Sequence, residues 1–498
     1  MCLKTRARKM IEQFFSRYKI AYIAGLVYIL PIIIAGRMFN DDIGRATEGY
    51  TKWGVNGRPL SDWIMEGLSF GFPISNLSPF TIIIALLITV LCGALLAEHF
   101  GVEDKAKRNI LAFSFIISPF YLENLSYQFD SLPMALSLLF ASLAFTIPGK
   151  FRPLAGCAVG TVLLIGTMCL YQPSINVYII LVCFAAILAG INSEGRILLT
   201  ALYKAISLLV AQVIYSLAIV PAFIEGDYNT NHSIMITEKP DPVGLLFSNA
   251  QAFYDRVLNS LDTTAYVIAV ALVVLLLVIW IKSLFTHNNN KNKLNLAFDK
   301  LTILIAFPVI FICIAGPLLL LYKPVTNPRV LLGVNAIVFI GVFCSTYFLS
   351  RYWKFLMIVP VVYAFSLSAA YGNASTMQKR LDEYRAIVIA KDINNLNKPF
   401  KNLVFIGMPD ISKVSNRYAD NFPVIRQLIT PSIRENWVFA NYFMRQYGVY
   451  LNYIHISKGR NERDVLCSQN KWNKSNDYIL MHNDETIVVD FTKCKGKN

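Results

Sequence analysis

Charged residues are scarce in this chain. Asp, Glu, Lys and Arg make up 15% of its 498 residues, whereas hydrophobic residues make up 55%. A soluble domain has about 25% charged residues, so this composition excludes an ordinary soluble protein and indicates an integral membrane protein. Two uncharged runs, Ile20–Gly36 and Thr263–Ile281, approach or reach the roughly 20 residues that a helix needs to cross a bilayer.

The motifs of nucleotide-dependent and zinc-dependent enzymes are also missing. The sequence has no P-loop, no GxGxxG segment after a strand, no HExxH and no CxxC pair. Its five histidines are scattered and predict no metal cluster. These absences argue against nucleotide-driven transport and the common zinc chemistries, and nothing in the sequence predicts binding to nucleic acid.

Long apolar runs are abundant, and they predict about eleven membrane spans. These cover residues 19–37, 79–98, 109–124, 131–148, 153–171, 174–191, 198–223, 263–285, 300–322, 330–349 and 355–371. The first run is long for a signal peptide and no small-x-small cleavage site follows it, so we expect a retained helix.

Basic residues alternate between loops and predict the orientation. They precede the first span and follow the second, whereas "LENLSYQFDS" and "LYQPSINVY" carry none. By the positive-inside rule the amino terminus is cytoplasmic. The loops 38–78 and 224–262, and everything after about residue 371, then lie outside, in the periplasm. The sequence thus predicts a polytopic α-helical protein of the bacterial inner membrane.

The segment 372–498 differs in character from the preceding membrane domain, 1–371, and predicts a small periplasmic α/β domain. "KNLVFIGM" and "ETIVVDF" are typical of strands, and "SIRENWVFANYFMRQYG" has helical spacing. Its 19 Lys and Arg against 12 Asp and Glu give a net charge of +7, which suits an anionic membrane or acidic glycolipid and equally a solvated basic face. Its two cysteines, Cys467 and Cys494, are candidates for a disulfide in an oxidising compartment.

The first polar cluster at a predicted membrane edge contains Asp41 and Asp42. Adjacent, partly desolvated carboxylates repel each other, which predicts a raised pKa for one of them and suits a general base. Arg45 and Arg58 lie nearby and suit either an ion pair with the aspartates or a phosphate. Glu48 is a candidate member of the same cluster. The structural alternatives are an aspartate that caps the next helix and a local ion pair between Glu48 and Arg45.

A second cluster lies at the outer junctions of later spans and combines carboxylate, amide and phenol side chains. Its members are Glu123, Asn124, Tyr127, Gln128 and Asp130, with Tyr171 and Gln172 at the following junction. Such groups beside aromatic rings bind the hydroxyls and the apolar face of a sugar. The alternative is an interfacial aromatic belt in which Asp130 caps the fourth span, and Pro173 predicts a helix break.

A third cluster, in "LYKPVTNPRVLLG", places Lys323 and Arg329 outside, against the positive-inside trend. A phosphate bound at the membrane surface accounts for them. Snorkelling side chains that contact only anionic lipid are the alternative.

The "NDD…GR…GY" loop, the "ENLSYQFDSLPM" and "YQPSINVY" junctions and the outer carboxy-terminal domain resemble the serotype-converting bacterial O-antigen glucosyltransferases of the Gtr type. The resemblance covers most of the membrane region. It implies a GT-C type enzyme that moves glucose from undecaprenyl-phosphate glucose to an O-antigen repeat of lipopolysaccharide in the periplasm. It also implies an acidic base in the first outer loop, which falls on Asp41 or Asp42, together with two partners: a glucosyl-undecaprenyl-phosphate synthase and a small flippase.

The residues and the resemblance together predict one inverting displacement, in which an aspartate deprotonates the acceptor hydroxyl. The scheme requires no cofactor, although two adjacent aspartates are able to bind a divalent metal. The alternatives are another polyprenyl-phosphate-sugar transferase of this fold, an O-antigen polymerase, and a lipid-linked sugar flippase, which would need no base.

Overall fold

Most of the chain folds into apolar helices. The described residues of this computed structural model are 2–192, 195–226, 230, 232, 234–286, 292–349, 352–435, 438–469, 472–475 and 477–492, without the side chains of 2–11 and 472–474. The helices up to residue 395 are α1 (Cys2–Ala35), α2 (Asp41–Glu48), α3 (Pro59–Leu68), α4 (Phe80–His99), α5 (Lys105–Ser114), α6 (Tyr121–Ser126), α7 (Ser131–Thr146), α8 (Pro153–Tyr171), α9 (Ile175–Ile191), α10 (Ile197–Ile214), α11 (Val220–Phe223), α12 (Pro242–Leu258), α13 (Thr263–Phe285), α14 (Lys293–Ile312), α15 (Gly333–Phe348) and α16 (Trp353–Asn395).

Eight helical stretches within the described ranges are long and apolar enough to cross a membrane, as expected for a polytopic helical protein. They are Glu12–Ala35, Phe80–His99, Ser131–Lys150, Pro153–Ile191, Ile197–Phe223, Thr263–Phe285, Lys293–Ile312 and Trp353–Asn395. The stretch Pro153–Ile191 contains two of the predicted spans, α8 and α9. They meet at a 3-10 turn that contains Pro173, and the extended backbone of Tyr171 marks the predicted break.

The predicted span 109–124 is not one continuous helix, although the segment still runs alongside α1. Asn109 is hydrogen-bonded to Arg17 and Ala21 in the first half of the apolar stretch Glu12–Ala35 of α1, and Gln128 to Asp42 beyond the end of that helix. Helix α5 ends at Ser114, α6 begins at Tyr121, and each is too short to cross a bilayer. Pro119 disfavours a helical conformation at the residue before it, which interrupts the apolar run. The segment is buried among other helices, where irregular backbone is tolerated at membrane depth.

Two later spans differ in their bounds from the prediction. The span expected at 300–322 is α14, which ends at Ile312. Gly316 follows with a φ of +56°, and a Cβ there would lie 2.0 Å from Oδ1 of Asn176. The span expected at 330–349 is α15, whose 16 residues are fewer than a full crossing needs.

Helix α16 continues far beyond the length of one crossing. Its 43 residues extend about 65 Å, against roughly 30 Å of hydrocarbon. Residue 372, where the sequence predicts the outer domain to begin, lies inside this helix. At this residue α16 packs closely against α1. A Cβ added at Gly372 would lie only 2.4 Å from Cβ of Pro31.

The C-terminal unit, comprising the described residues 400–492, is built around a sheet. Its elements are β1 (Asn402–Ile406), α17 (Lys413–Asn421), α18 (Val424–Leu428), α19 (Val438–Arg445), β2 (Asn452–Tyr453), α20 (Ile456–Ser468), β3 (Trp472–Lys474), β4 (Ile479–His482) and β5 (Thr486–Asp490). The strand order is β2-β1-β5-β4-β3. Strand β1 is parallel to β2 and β5, with Asn402 opposite Thr486, and β4 is antiparallel to β3 and β5. Both segments with a predicted strand pattern lie in this sheet.

Helices cover both faces of the sheet and connect it to the first loop. On one face Leu403 and Phe405 share a core with Ile389 of α16 and Ala440 of α19. Ile43 of α2 belongs to the same core. The helix that carries the paired aspartates is therefore packed against the C-terminal unit.

Cys467 is disulfide-bonded. Cys494, the partner that the sequence predicts, lies outside the described residues.

Candidate functional site

Asp42 joins the first loop to the loop that precedes α7. Its buried carboxylate accepts three backbone N–H groups, those of Phe39 at 3.1 Å, Gln128 at 2.8 Å and Phe129 at 3.1 Å. Burial, followed by the charge of Asp130, raises the pKa of Asp42 to about 7, against the lowering effect of the three donors. Both oxygens are occupied by the backbone, so Asp42 holds the two loops together.

Asp41 is the accessible member of the pair. Its side chain is 29% exposed, and Oδ2 lies 3.7 Å from Nη1 of Arg45. Asn40 occupies the N-cap position of α2. The alternative interpretation, in which Asp41 or Asp42 caps this helix, is therefore wrong. The raised pKa predicted for one aspartate occurs at Asp42, and its charged neighbour is Asp130 rather than Asp41.

Asp130 is the centre of a buried ion-pair cluster. One oxygen accepts hydrogen bonds from Nε1 of Trp53 at 2.7 Å and Nη1 of Arg58 at 3.3 Å, and the other from Nη1 of Arg45 at 3.1 Å. The Arg45 guanidinium also lies 4.0 Å above the ring of Trp53. Asp130 makes no capping bond to α7. Of the two options for these arginines, an ion pair or a phosphate, the geometry therefore shows an ion pair, made mainly with Asp130.

The backbone of Arg329 is held by three side chains of the second cluster. Oε2 of Glu123 accepts its N–H at 2.7 Å. Its carbonyl accepts hydrogen bonds from Nδ2 of Asn124 at 3.1 Å and from the hydroxyl of Tyr171 at 3.2 Å. Burial raises the pKa of Glu123 above its ordinary value, and the positive charge of Arg329 only partly opposes this rise. These three side chains fix the position from which the Arg329 guanidinium projects.

Tyr127 connects that guanidinium to the first loop. Arg329 donates a hydrogen bond to the Tyr127 hydroxyl and lies 5.0 Å above its ring. The same hydroxyl accepts a hydrogen bond from Nδ2 of Asn40 at 3.3 Å. Oδ1 of Asn40 accepts one from Nη2 of Arg434 at 3.2 Å. A continuous hydrogen-bonded chain therefore runs from the loop before α15, past the residue preceding Asp41, to the C-terminal unit.

The two predicted glutamines tie loops together. Oε1 of Gln128 accepts a hydrogen bond from Asn76 at 2.5 Å. Nε2 of Gln172 donates to the carbonyl of Asn56 at 3.0 Å and to the hydroxyl of Tyr215 at 2.9 Å. Both amides thus have protein partners.

Glu48 and Lys323 are not part of this junction. Glu48 pairs with Arg445 of α19. The local ion pair with Arg45, the alternative interpretation of Glu48, is therefore not the one that forms. Nζ of Lys323 lies 5.4 Å from the ring centroid of Tyr322. Neither has a described contact with Asp41.

Sequence reasoning missed Arg37 and Arg434. Arg37 is the first charge after the uncharged run of α1, and that position was the available signal. Arg434 is 394 positions away from Asn40, to which it is hydrogen-bonded. No pattern in one sequence connects them.

The acidic residues of this region are not arranged as a metal centre. Over the described part of the chain, no group of three or more His, Cys, Asp or Glu side chains is placed to hold a metal ion. The chemistry available around Asp41 is that of an accessible carboxylate next to buried and half-buried guanidinium groups.

Comparison with known proteins identifies a relative and a family. The chain is 29% identical over 486 residues to a protein of Salmonella phage P22 described as an uncharacterized 55.3 kDa protein in the gtrB 5′ region, with 94% of this chain and 96% of that protein covered. No solved structure matches. The family model described as glucosyl transferase GtrII matches residues 12–340. Because this match spans more than half of the chain, the protein belongs to the GtrII glucosyl transferase family, which confirms the predicted resemblance.

Proposed function

We propose that this protein transfers glucose from undecaprenyl-phosphate glucose to a sugar of the O-antigen repeat, at the periplasmic face of the inner membrane. Membership of the family supports glycosyl transfer, and the apolar helices suit a donor whose lipid stays in the bilayer. The observation that carries the proposal is Asp41, a partly exposed carboxylate 3.7 Å from Arg45. The adjacent Asn40 connects it with two further arginines, Arg329 and Arg434.

In the proposed reaction Asp41 is the general base. Its carboxylate takes the proton from an acceptor hydroxyl, and the oxygen attacks the anomeric carbon of glucose. The bond from that carbon to the phosphate oxygen breaks, and its electron pair leaves with undecaprenyl phosphate. Arg329 stabilises the charge that develops on the leaving phosphate. A single displacement of this kind inverts the anomeric centre.

Asp41 suits this role better than Asp42 for a geometric reason. A base must come within hydrogen-bond reach of the substrate proton, about 2.6–3.2 Å between heavy atoms. Both oxygens of Asp42 already accept backbone N–H groups inside the protein. Asp42 is therefore proposed to position α2, which carries Asp41.

The direct test is glucose transfer by purified protein in detergent, with extracted O-antigen as acceptor. We expect transfer with undecaprenyl-phosphate glucose and none with a nucleotide sugar, because the apolar helices suit a donor whose lipid stays in the bilayer. Labelled glucose recovered on the polysaccharide is the measurement. Movement of the donor across vesicles without any transfer would instead favour a flippase.

Removal of divalent metal should leave the transfer rate unchanged. The neighbouring carboxylates of Asp41 and Asp42 face different partners, because Asp41 faces Arg45 whereas both oxygens of Asp42 accept backbone N–H groups. A shared metal between them would have to displace these bonds. The assay is therefore repeated after EDTA treatment, and a loss of activity that Mg²⁺ restores would contradict this mechanism.

The proposal also defines what the protein needs from its surroundings. The donor must be made by an enzyme that joins glucose to undecaprenyl phosphate, and a flippase must turn it outward. With the amino terminus cytoplasmic, the C-terminal unit would lie in the periplasm, next to the polysaccharide.

A further inference from the structure

Arg37 is a buried cation with unused hydrogen-bond donors. It follows α1 directly, and its side chain is 8% exposed. Nη2 donates to the carbonyl of Thr430, but Nε and Nη1 are buried without a hydrogen-bond partner among the described residues. Unpaired buried donors cost free energy, and native structures contain few of them. A ligand that supplies oxygen acceptors at this junction of loops would satisfy them.

Arg434 of the C-terminal unit brings a second guanidinium to the same place. It is half-buried, and it is hydrogen-bonded to Asn40. Burial, followed by the positive charge of Arg37, lowers the pKa of Arg434 to about 10. Two arginines close enough to repel each other are unfavourable unless negative charge lies between them.

The acidic groups of this junction do not balance its cations. Asp382 of α16 lies 3.6 Å from Arg37, and its oxygens also accept hydrogen bonds from Gln378 and Ser432. Nζ of Lys379 donates to the carbonyl of Gly36 at 3.0 Å, which adds a further positive charge.

Among the described residues named here, the cations outnumber the carboxylates by one. The four cations are Arg37, Lys379, Arg434 and, through Tyr127 and Asn40, Arg329. The three carboxylates are Asp382, Asp41 and, next to Arg329, Glu123.

We infer that Arg37 and Arg434 form a phosphate site that takes the phosphate of the lipid-linked donor, so that the C-terminal unit completes the donor site. The inference rests on the proposed function. Guanidinium groups match phosphate oxygens in geometry and charge. Arg37 also lies two residues after the end of α1, a helix long and apolar enough to cross a membrane, which suits the phosphate of a lipid whose chain remains in the bilayer.

The charge surplus also fits the direction of the reaction. The donor is a phosphodiester with one negative charge, and the leaving undecaprenyl phosphate is a monoester that carries about −1.5 to −2 at neutral pH, as phosphate monoesters do. The negative charge therefore grows as the bond from the anomeric carbon to oxygen breaks. Fixed cations with a positive surplus stabilise the later state more than the earlier one, which is the condition for catalysis.

The test is binding of undecaprenyl phosphate to detergent-solubilised full-length protein. Binding is measured by the rise in the melting temperature of the protein and by competition in the transfer assay. Loss of one charge-assisted contact in Arg434→Gln is expected to weaken binding about tenfold or more. Arg434→Lys keeps the charge and should recover part of the affinity. Arg426→Gln is the matched control, because Arg426 lies on α18 in the same unit, 58% exposed and paired with Asp420. Arg37→Gln is measured in parallel, with its unliganded melting temperature as a folding check.

Three arms separate the possible ligands and the possible failures. Undecaprenol, which lacks phosphate, should give no arginine-dependent stabilisation, and inorganic phosphate should act only at much higher concentration than the lipid. Equal effects of inorganic phosphate and the lipid would overturn the assignment to the lipid donor. If wild type transfers glucose but Arg434→Gln binds undecaprenyl phosphate as tightly as wild type, this phosphate site is wrong and the proposed function stands. If wild type neither transfers glucose nor binds the lipid, both are wrong.

Discussion

Asp41→Asn is expected to lower glucose transfer by about 10²–10⁴-fold, the usual contribution of a general base, while the melting temperature stays at the wild-type value. The substitution keeps the size of the side chain and removes its ability to take a proton. Asp41 is partly exposed, and its only described ion pair is the 3.7 Å contact with Arg45. Little stability depends on such a contact. The measurements are initial rates of transfer and thermal unfolding of the same preparations.

Asp42→Asn is the matched control, one residue along the same helix. An amide has one oxygen in place of two, so at least one of the buried N–H groups of Phe39, Gln128 and Phe129 loses its acceptor. An unsatisfied buried donor costs about 1–3 kcal/mol, which should appear as a lower melting temperature. The fraction that remains folded should transfer glucose at a rate close to that of wild type. The opposite result, with Asp42→Asn inactive at full stability and Asp41→Asn active, would make Asp42 the base.

The membrane character of the chain could be predicted because composition alone decides it. An uncharged run such as Thr263–Ile281 is stable in hydrocarbon whatever it packs against, and it lies in a helix, as predicted. The run 109–124 has a similar composition but lies inside the protein, where Pro119 interrupts it. Hydropathy measures transfer out of water and does not distinguish lipid from a protein interior, so the burial of this run was not accessible from the sequence, whereas Pro119 was an available signal for the break.

The site was only partly predictable for a related reason. Polar residues at the ends of apolar runs drew attention to Asp41, Glu123, Asp130 and Arg329, and these loops do converge. Their pairing was not predictable, because Asp130 meets Arg45 across 85 positions of sequence. The contribution of Arg434 depends on how the C-terminal unit packs on α2, which no local pattern encodes.

Replacement of Asp130 by Ala should have the largest effect on stability. It leaves the buried Arg45 and the half-buried Arg58 without their common partner and Nε1 of Trp53 without an acceptor. Removing one side of a buried ion pair costs about 3–5 kcal/mol, because the remaining charge stays buried and uncompensated. We expect a strongly lowered melting temperature, and loss of transfer in proportion to the loss of folded protein.

A second substitution distinguishes this electrostatic cost from a simple cavity. Asp130→Ala combined with Arg45→Met removes one of the stranded charges and should regain part of the lost stability, which a double-mutant cycle measures. Glu48→Ala serves as the surface control, because its pair with Arg445 is partly exposed, and such pairs contribute about 0–1 kcal/mol. If Asp130→Ala melted like wild type yet transferred no glucose, Asp130 would be a substrate-contacting residue. The ion-pair cluster would then hold a reactive carboxylate in place, and the search for the base would move from Asp41 to Asp130.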